Sequence, residues 1–274
     1  MSENELKPND VLHTIPECGW KPMRDAVWKG RVKKMKEARR EFMKMTVEDL
    51  VKLVKLLPGN RKTGGSYYTV SLIPILDCVK DACKTCGMWC YDIQSVCIMK
   101  EVIRLRAINS ALHAKAPNLY WQRIRQLCEL QYVERLRINV GGDITKDDMF
   151  EIVAMAVLLP NTIIHLFTKN YEAVNNYFKT EKKVKSFPKN LKVIFSRWPG
   201  MKCENPYKIP ECHVDFGDGK CEAPADSPIC EGNCTKCAFD HTGCHGLNRG
   251  EAVVIKYHTN IAFAIQKGNK EAAK

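Results

Sequence analysis

The feature that most constrains the fold is an alternation of short β-prone apolar runs with amphipathic segments of ten or more residues. The strand-like runs lie at residues 67–76, 136–140, 162–168, 191–197 and 252–257, with a further short one near 213–216. Strands separated by helical crossovers of this length are typical of βαβ units and a parallel sheet. The sequence therefore predicts an α/β fold, and specifically a partial or open (β/α) barrel with parallel strands.

Three segments are expected along the chain. Residues 1–65 are predicted as a helical, basic N-terminal extension, residues 66–200 as the partial barrel, and residues 201–274 as a cysteine-rich C-terminal segment that completes it. Within the extension, Thr46-Val-Glu-Asp49 has the form of a capping box and predicts a helix start. One barrel helix is predicted to bury an apolar face made of Phe150, Val153, Ala154 and Val157.

Fourteen cysteines are the second informative feature. Eight of them form two short groups: the first cysteine set is Cys78, Cys83, Cys86 and Cys90, and the second cysteine set is Cys230, Cys234, Cys237 and Cys244. The N-terminus has no basic region followed by an apolar run, so a cytoplasmic location is expected. Clustered thiols in a reducing compartment ligate metal more often than they form disulfides. Metal ligation by both sets is therefore predicted, with a disulfide framework as the alternative.

Two kinds of metal centre fit these thiols. A short run of thiols with a nearby fourth suits a [4Fe–4S] cluster, which four thiolates hold, whereas zinc also accepts four thiolates. Two iron–sulfur clusters are expected, with zinc as the alternative. In the first cysteine set, either all four thiols ligate and close the site, or three ligate and one iron stays open for a substrate or S-adenosylmethionine. Cys97 lies two helical turns after Cys90 and is a further candidate ligand.

Polar residues follow several predicted strands. Gly141, Gly142 and Asp143 end one of them, and Lys169 and Arg197 end two others. Because chemistry in parallel α/β folds gathers at the C-terminal ends of the strands, these five residues are predicted to bind a cofactor or substrate. Asp143 could meet an amine or hydroxyl, and the two cations could bind an anion. The alternatives are that Asp143 only holds its turn and that the cations are merely exposed.

The charge pattern raises a different class of function. The net charge is +12, and residues 29–44, which begin at Lys29 and end at Lys44, carry eight Lys or Arg against two Glu. This segment could bind nucleic acid through phosphate contacts, although the solvated face of a helix is the preferred interpretation. The second hypothesis is a zinc-stapled nucleic-acid-binding protein that uses this segment and the basic residues 267–274. Apolar runs are too short to span a bilayer, so no membrane association is expected.

The order of these motifs resembles a known family. The residues that carry the resemblance are Cys78, Cys86-x3-Cys90-Tyr91, Asn109, Arg137-Ile-Asn-Val-Gly-Gly-Asp143, Phe167-Thr-Lys-Asn-Tyr171, Ser196 and the second cysteine set. Over roughly residues 71–258 they are similar to the "gene product eighty-eight" family of phages and bacteria, whose barrel resembles that of radical S-adenosylmethionine enzymes.

The resemblance implies Cys78, Cys86 and Cys90 as the first ligands and the second cysteine set as the others. It also implies that Gly141-Gly142-Asp143, which is similar to a Gly-Gly-Glu strand end, holds the amino group of S-adenosylmethionine. An enzyme of radical or redox type with an unknown substrate and a redox partner is the expected activity. One departure is that the usual Cys-x3-Cys-x2-Cys spacing occurs at Cys230–Cys237 rather than in the first set.

Overall fold

The computed structural model describes residues 23–59, 67–97 and 99–257 as an α/β protein with a seven-stranded sheet. The strands are β1 (Leu57–Pro58), β2 (Tyr68–Val70), β3 (Arg135–Ile138), β4 (Ile163–Thr168), β5 (Leu191–Arg197), β6 (Glu211–Asp215) and β7 (Ala252–Lys256). They lie in the order β1 to β7, with β1 antiparallel to β2 and every later pair parallel. The predicted α/β fold with parallel strands is confirmed. Within the described residues β7 does not pair with β1, so the sheet is open.

Nine α-helices are described. They are α1 (Asp25–Phe42), α2 (Val47–Leu53), α3 (Lys80–Cys86), α4 (Tyr91–Val96), α5 (Lys100–Lys115), α6 (Pro117–Leu130), α7 (Asp148–Leu158), α8 (Tyr171–Thr180) and α9 (Cys234–Asp240). Thr46 caps α2 by accepting a hydrogen bond from the amide of Asp49 at 3.2 Å, as the capping box predicts. None of the helices in the described ranges is both long and apolar enough to cross a membrane.

The first predicted strand is much shorter than expected. Residues 67–76 are apolar, but only Tyr68–Val70 pairs with a neighbour. The chain then turns, because the carboxylate of Asp77 accepts a hydrogen bond from the amide of Ile73 at 2.8 Å and Ile75 adopts a left-handed backbone with φ of 70°. The remaining apolar side chains are buried in a turn rather than in a strand. The apolar run therefore predicted burial correctly but did not predict the backbone conformation.

The buried face of α7 also differs from the prediction. The helix buries Met149, Ile152, Met155 and Ala156 rather than Phe150, Val153, Ala154 and Val157. Because this helix is apolar almost all round, its sequence gave no clear phase for choosing between the two faces.

The two faces of the sheet have different partners. On the first face, Leu136, Ile164 and Val193 lie in the main hydrophobic core beneath the helices. That core includes Trp28 of α1 and Leu50 of α2, so the N-terminal helices share it. On the second face, Ile194, Cys212 and Val253 pack against Cys230, Cys244 and Leu247 of the C-terminal segment. The division of the chain into three segments stays a prediction. Cys18 and the basic residues 267–274 lie outside the described residues.

Candidate functional site

The first cysteine set follows β2 and lies in a turn and a short helix. Cys78 accepts a hydrogen bond from the amide of Ile75 at 3.2 Å, which fixes its sulfur in the turn. Helix α3 carries Cys83 and Cys86, and Cys90 follows the 3-10 turn Gly87–Trp89. Cys83 is buried in the main core, whereas Cys86 packs in an aromatic cluster with Trp89, Trp198, Phe216 and Tyr257. All thirteen described cysteines are free thiols.

The thiols of Cys78, Cys86 and Cys90 lie close enough for their charges to interact. A hydrogen bond with Cys83, together with burial, raises the pKa of Cys78 well above its ordinary value. Burial raises the pKa of Cys86 to about 11, and burial and the neighbouring Asp92 raise that of Cys90. These thiols therefore hold their protons at neutral pH, and a metal would have to displace those protons.

Lys169, at the end of β4, faces the first cysteine set. Burial acts to lower the pKa of Lys169, but the nearby Cys86 thiol and Asp143 carboxylate raise it above its ordinary value. The ammonium lies 5.7 Å from the centre of the Trp198 ring. Lys169 thus presents a positive charge to the thiols, and its predicted binding of an anion stays a prediction.

Asp143 joins the ends of β3 and β4. Its buried carboxylate accepts hydrogen bonds from the Thr168 hydroxyl at 2.6 Å and from the amides of Ile144 and Lys169, each at 2.8 Å. Burial raises the pKa of Asp143 in spite of these donors. The contacts show that Asp143 holds its turn, and its predicted contact with a cofactor stays a prediction.

Gly141 and Gly142 lie in close contact with neighbouring residues. A side chain at Gly141 would collide with Asp92 and Arg106, which form a buried ion pair. Gly142 has a φ of 77°, and a Cβ atom there would lie 2.6 Å from Cβ of Leu72. Both positions therefore require glycine for the backbone to approach its neighbours.

Arg197 ends β5 as expected, but its guanidinium is already paired. It lies 3.4 Å from the carboxylate of Glu211 and 2.9 Å from that of Glu222. Arg197 therefore makes direct ion pairs, whereas Lys169 makes none among the described residues.

The second cysteine set lines one cavity of about 310 Å³ between the C-terminal segment and the second face of the sheet. The amide of Cys230 donates a hydrogen bond to the carbonyl of Val254 at 2.7 Å, which fixes this residue beside β7. Cys234 begins α9, Cys237 lies within it, and Cys244 lies in the 3-10 turn Gly243–His245. Gly243 has a φ of 51°, and a Cβ atom there would lie 3.1 Å from the sulfur of Cys237. Four thiols that share one cavity have the chemistry of a four-thiolate metal centre.

Three ring residues, Tyr67, His165 and His245, also line this cavity, and the sequence did not mark Tyr67 or His165 as site residues. The Tyr67 hydroxyl and Nε2 of His245 share a hydrogen bond of 2.5 Å, and the rings of His165 and His245 are 4.0 Å apart. His165 is buried, and its Nε2 atom has no hydrogen-bond partner among the described residues. Burial lowers the pKa of His245 to about 4 and that of His165 well below its ordinary value, so both rings are neutral at pH 7.

Arg137 lines the same cavity from β3 and was also missed. Its guanidinium lies 5.1 Å from the centre of the Phe167 ring. The signal was present as period-two alternation, because Arg135 and Arg137 alternate with the buried Leu136 and Ile138. Strict alternation of this kind indicates a strand with two different faces.

One further thiol lies within interaction range of the second cysteine set and of Lys169. It belongs to Cys212 of β6, which is buried. Burial raises the pKa of its thiol well above the ordinary value, the Cys244 and Cys230 thiols add to this, and Lys169 and Arg137 oppose it. Cys212 thus lies within interaction range of the second set and of Lys169, which itself faces the first set.

The thiols of each cysteine set lie near one another, but they are not arranged at the distances of a metal-binding site. Across the described ranges, no three Cys, His, Asp or Glu side chains converge at metal-binding spacing. The predicted metal ligands, including Cys83, therefore remain predictions that rest on the donor chemistry of the two sets.

The basic segment at residues 29–44 lies in and just after α1, and several of its side chains contact the protein. Lys34 donates a hydrogen bond to the carbonyl of Cys97 at 2.6 Å, and Arg31 donates to that of Ile93 at 3.4 Å. Arg39 lies 3.4 Å from the carboxylate of Asp77. This helix helps to hold the segment that carries the first cysteine set, and its use for nucleic acid stays a prediction.

Comparison with known proteins gives one result. A family model described as "Gene product 88" matches residues 33–211. The matched region contains the first cysteine set, Asp143, Lys169 and Arg197, but it ends before the second set. No curated protein and no solved structure matches the chain.

Proposed function

We propose that this chain, which belongs to the Gene product 88 family, is an iron–sulfur protein that binds two clusters of the [4Fe–4S] type. The observation that carries the proposal is the second cysteine set, whose four thiols line one cavity. The first set supplies a further group of thiols at the C-terminal ends of the parallel strands. Four thiolates bind all four irons of such a cluster, and the second set offers that number.

The proposed first cluster is held by Cys78, Cys86 and Cys90. Their thiols interact with one another, and Lys169 faces them. Cys83 is directed into the main core, where it can hydrogen-bond to the Cys78 sulfur instead of ligating. Three ligands would leave one iron open to a substrate or to S-adenosylmethionine, and a cluster of this kind supplies single-electron transfer when bound. The chain's own part is to present Lys169 beside that position and to hold the strand ends rigid through Asp143.

The proposed second cluster is an electron relay. Buried Cys212 lies within interaction range both of the Cys230 and Cys244 thiols and of Lys169 at the strand ends. The sheet order supports a partial (β/α) barrel as the setting, because six consecutive parallel strands follow one another without a change of direction. These features favour a radical-type or redox enzyme.

The test is anaerobic purification followed by analysis of iron, sulfide and zinc. About eight iron and eight sulfide per chain are expected for two four-iron clusters. Replacing Cys230 and Cys234 by alanine should remove about half of both, whereas Cys128→Ala, at an isolated core cysteine, should remove neither. Two zinc ions with no iron would overturn the proposal.

The alternative is a zinc-stapled nucleic-acid-binding protein. The exposed cations Lys33, Arg40 and Lys44 of the basic segment favour it, since they point to solvent. Fluorescence anisotropy with labelled duplex DNA and RNA at about 150 mM salt tests this, because phosphate contacts weaken steeply with salt. Changing the three residues to glutamate should abolish binding, and a wild-type protein that binds neither nucleic acid rejects this alternative.

A further inference from the structure

The cavity that the second cysteine set lines has two different walls. The thiols come from the C-terminal segment, whereas Arg137 and His165 come from β3 and β4. These two residues are partners in the register of the two strands. Partners on neighbouring strands point to the same face of a sheet, so the two side chains lie side by side. The sheet therefore presents a histidine and an arginine to a cavity that four thiols line.

Both residues have a buried nitrogen atom without a hydrogen-bond partner. Among the described residues, Nε2 of His165 and Nε of Arg137 are buried and make no hydrogen bond. His165 as a whole is only 3% exposed. Folded proteins rarely leave buried polar atoms unpaired, because each one lowers stability. Two such atoms on one wall of a cavity indicate that a bound group completes their hydrogen bonds.

Several other polar side chains of the cavity have partners elsewhere. The Tyr67 hydroxyl is already hydrogen-bonded to Nε2 of His245. Glu231 and Asp240 also line the cavity, but both residues are exposed, and Glu231 lies 3.5 Å from the ammonium of Lys236. The four thiols are the remaining feature of the cavity, and they point to a group that they hold as the missing acceptor.

A metal centre held by the second cysteine set has the properties that the two nitrogen atoms require. A [4Fe–4S] cluster with four thiolates carries a net negative charge, and its sulfur atoms accept hydrogen bonds. Arg137 supplies an opposite charge. The His165 ring is neutral at pH 7, because burial and neighbouring basic side chains lower its pKa well below the ordinary value. A neutral imidazole has one N–H group, and an acceptor beside Nε2 selects the tautomer that carries the hydrogen there.

We propose that the Nε2–H group of His165 donates a hydrogen bond to a sulfur atom of the metal centre in the second cysteine set, with Arg137 beside it as a counter-charge. The inference rests on the proposed function for the presence of that centre, and it adds the residues that set its reduction potential. A hydrogen bond to a cluster sulfur stabilises the reduced state, which is the more negative one, and so raises the potential. His165 therefore tunes the centre and does not ligate it.

The experiment is a redox titration of the anaerobically purified protein, followed by electron paramagnetic resonance, with the iron content measured. The signal of the second cluster is the one that disappears in Cys234→Ala with Cys237→Ala. His165→Leu should shift the reduction equilibrium of that cluster about tenfold towards the oxidised state, a fall of about 59 mV for one electron. His165→Gln keeps a side-chain N–H group and should restore much of the difference. The potential of the first cluster should not change in either variant.

Arg137→Met should lower the potential of the second cluster in the same direction, because it removes a positive charge beside a negative centre. The matched control is Lys183→Met, which removes the charge of an exposed lysine and should leave both potentials unchanged. Equal potentials in these two variants would reject the role of Arg137.

Three results overturn the inference without rejecting the proposed function. The first is that His165→Leu has the potential of the wild type. The second is that His165→Leu and His165→Gln shift the potential equally, so that the N–H group is not the cause. The third is that both variants lose the iron of the second cluster, which would make His165 a ligand.

Metal analysis separates this inference from the proposed function. If the second cysteine set holds zinc, the proposed function fails, and zinc transfer to a chromophoric chelator replaces the redox titration. Hydrogen bonds to the thiolates stabilise a metal site, so His165→Leu should release zinc several-fold faster than the wild type and His165→Gln. Equal rates of release overturn the inference. A second set that binds no metal overturns both.

A further measurement covers the case in which His165→Leu does not fold. The wild-type protein is prepared with isotopically labelled histidine, and pulsed electron paramagnetic resonance of the reduced second cluster detects nitrogen near it. A weak coupling that His165→Gln removes is expected for a hydrogen-bonded imidazole. The strong coupling of a ligating ring, or no coupling at all, overturns the inference.

Discussion

The hydroxyl of Thr168 donates a hydrogen bond of 2.6 Å to the buried carboxylate of Asp143, and this contact ties the end of β4 to the end of β3. The same carboxylate accepts the amide of Lys169 at 2.8 Å. The position of Lys169 beside the first cysteine set therefore depends on Asp143. The acidic residue at this strand end organises the site even where it touches no ligand.

Replacing Asp143 should destabilise the protein. Asp143→Ala leaves the Thr168 hydroxyl and two amides without their acceptor, and each such loss at a charged group costs roughly 1.5–3 kcal/mol. Because Asp143→Ala also removes the cost of burying the carboxylate, we expect the free energy of unfolding to fall by about 3 kcal/mol, less than the sum of the three losses, measured by urea denaturation. The matched control is Asp226→Ala, an exposed aspartate that should change stability by less than about 0.5 kcal/mol. Equal stabilities of the two variants would reject this role for Asp143.

Gly142 should tolerate alanine less well than Gly200. Both have left-handed backbones, with φ of 77° and 75°, but a Cβ atom at Gly142 would meet Leu72, whereas nothing lies near Gly200. The backbone cost of about 1–2 kcal/mol applies to both variants, and overpacking adds about 1–3 kcal/mol only at Gly142. Thermal and urea unfolding of Gly142→Ala and Gly200→Ala measure the difference. Similar losses at both positions would show that Leu72 does not restrict Gly142.

Asp148 should give the protein a specific acid sensitivity. Its buried carboxylate accepts hydrogen bonds from His113 at 2.8 Å, Trp121 at 2.7 Å and the amide of Thr145 at 2.6 Å. Burial acts to raise the pKa of Asp148, but the hydrogen bonds from His113 and its other donors hold it below its usual range. A lowered folded-state pKa contributes stability that is full above the unfolded value of about 3.9 and is lost as pH falls through the folded value.

Asp148→Asn should therefore be less stable at pH 7 by about 2 kcal/mol and should lose less stability than the wild type below about pH 4. Urea unfolding across that pH range measures both effects. The neighbouring Asp147 is exposed and makes no side-chain cap, so Asp147→Asn should follow the wild type. If all three proteins share one pH profile, Asp148 is not the group responsible.

Much of the fold could be predicted because its strands carry strong local signals. Residues 191–197 form β5 with the predicted bounds, since a short, mostly buried run of apolar residues between turns leaves few alternatives. The predicted length of the first strand was wrong, because the turn at Asp77 depends on a side-chain hydrogen bond that the periodicity of the sequence does not reveal. The predicted buried face of α7 was wrong because the faces of this helix are almost equally apolar.

Local signals of the same kind pointed to part of the candidate site. The position after a predicted strand pointed to Lys169, and the spacing of the cysteines pointed to the two cysteine sets. Both signals are local in the chain. Arg137 and His165 lie within strands, and their importance arises only when the C-terminal segment covers the second face of the sheet. The pairing of Arg197 with Glu211 and Glu222 likewise depends on segments 14 and 25 residues away.

Cys83 and Cys86 should behave differently although they lie one helical turn apart. Cys83 is packed in the main core, and Cys86 lies with the thiols that face Lys169. Cys83→Ala is expected to retain the iron of the first cluster, whereas Cys86→Ala is expected to lose it. Iron and sulfide analysis of the two anaerobically purified variants checks this, and loss of iron in Cys83→Ala would show that the site is closed by four thiols.

The most direct test of the central claim is electron paramagnetic resonance of the dithionite-reduced protein, compared with variants of each cysteine set. We predict signals from two reduced four-iron clusters in the wild type. One signal should disappear in Cys86→Ala with Cys90→Ala, and the other in Cys234→Ala with Cys237→Ala. A reduced wild-type protein that is fully folded and contains no iron signal would contradict it.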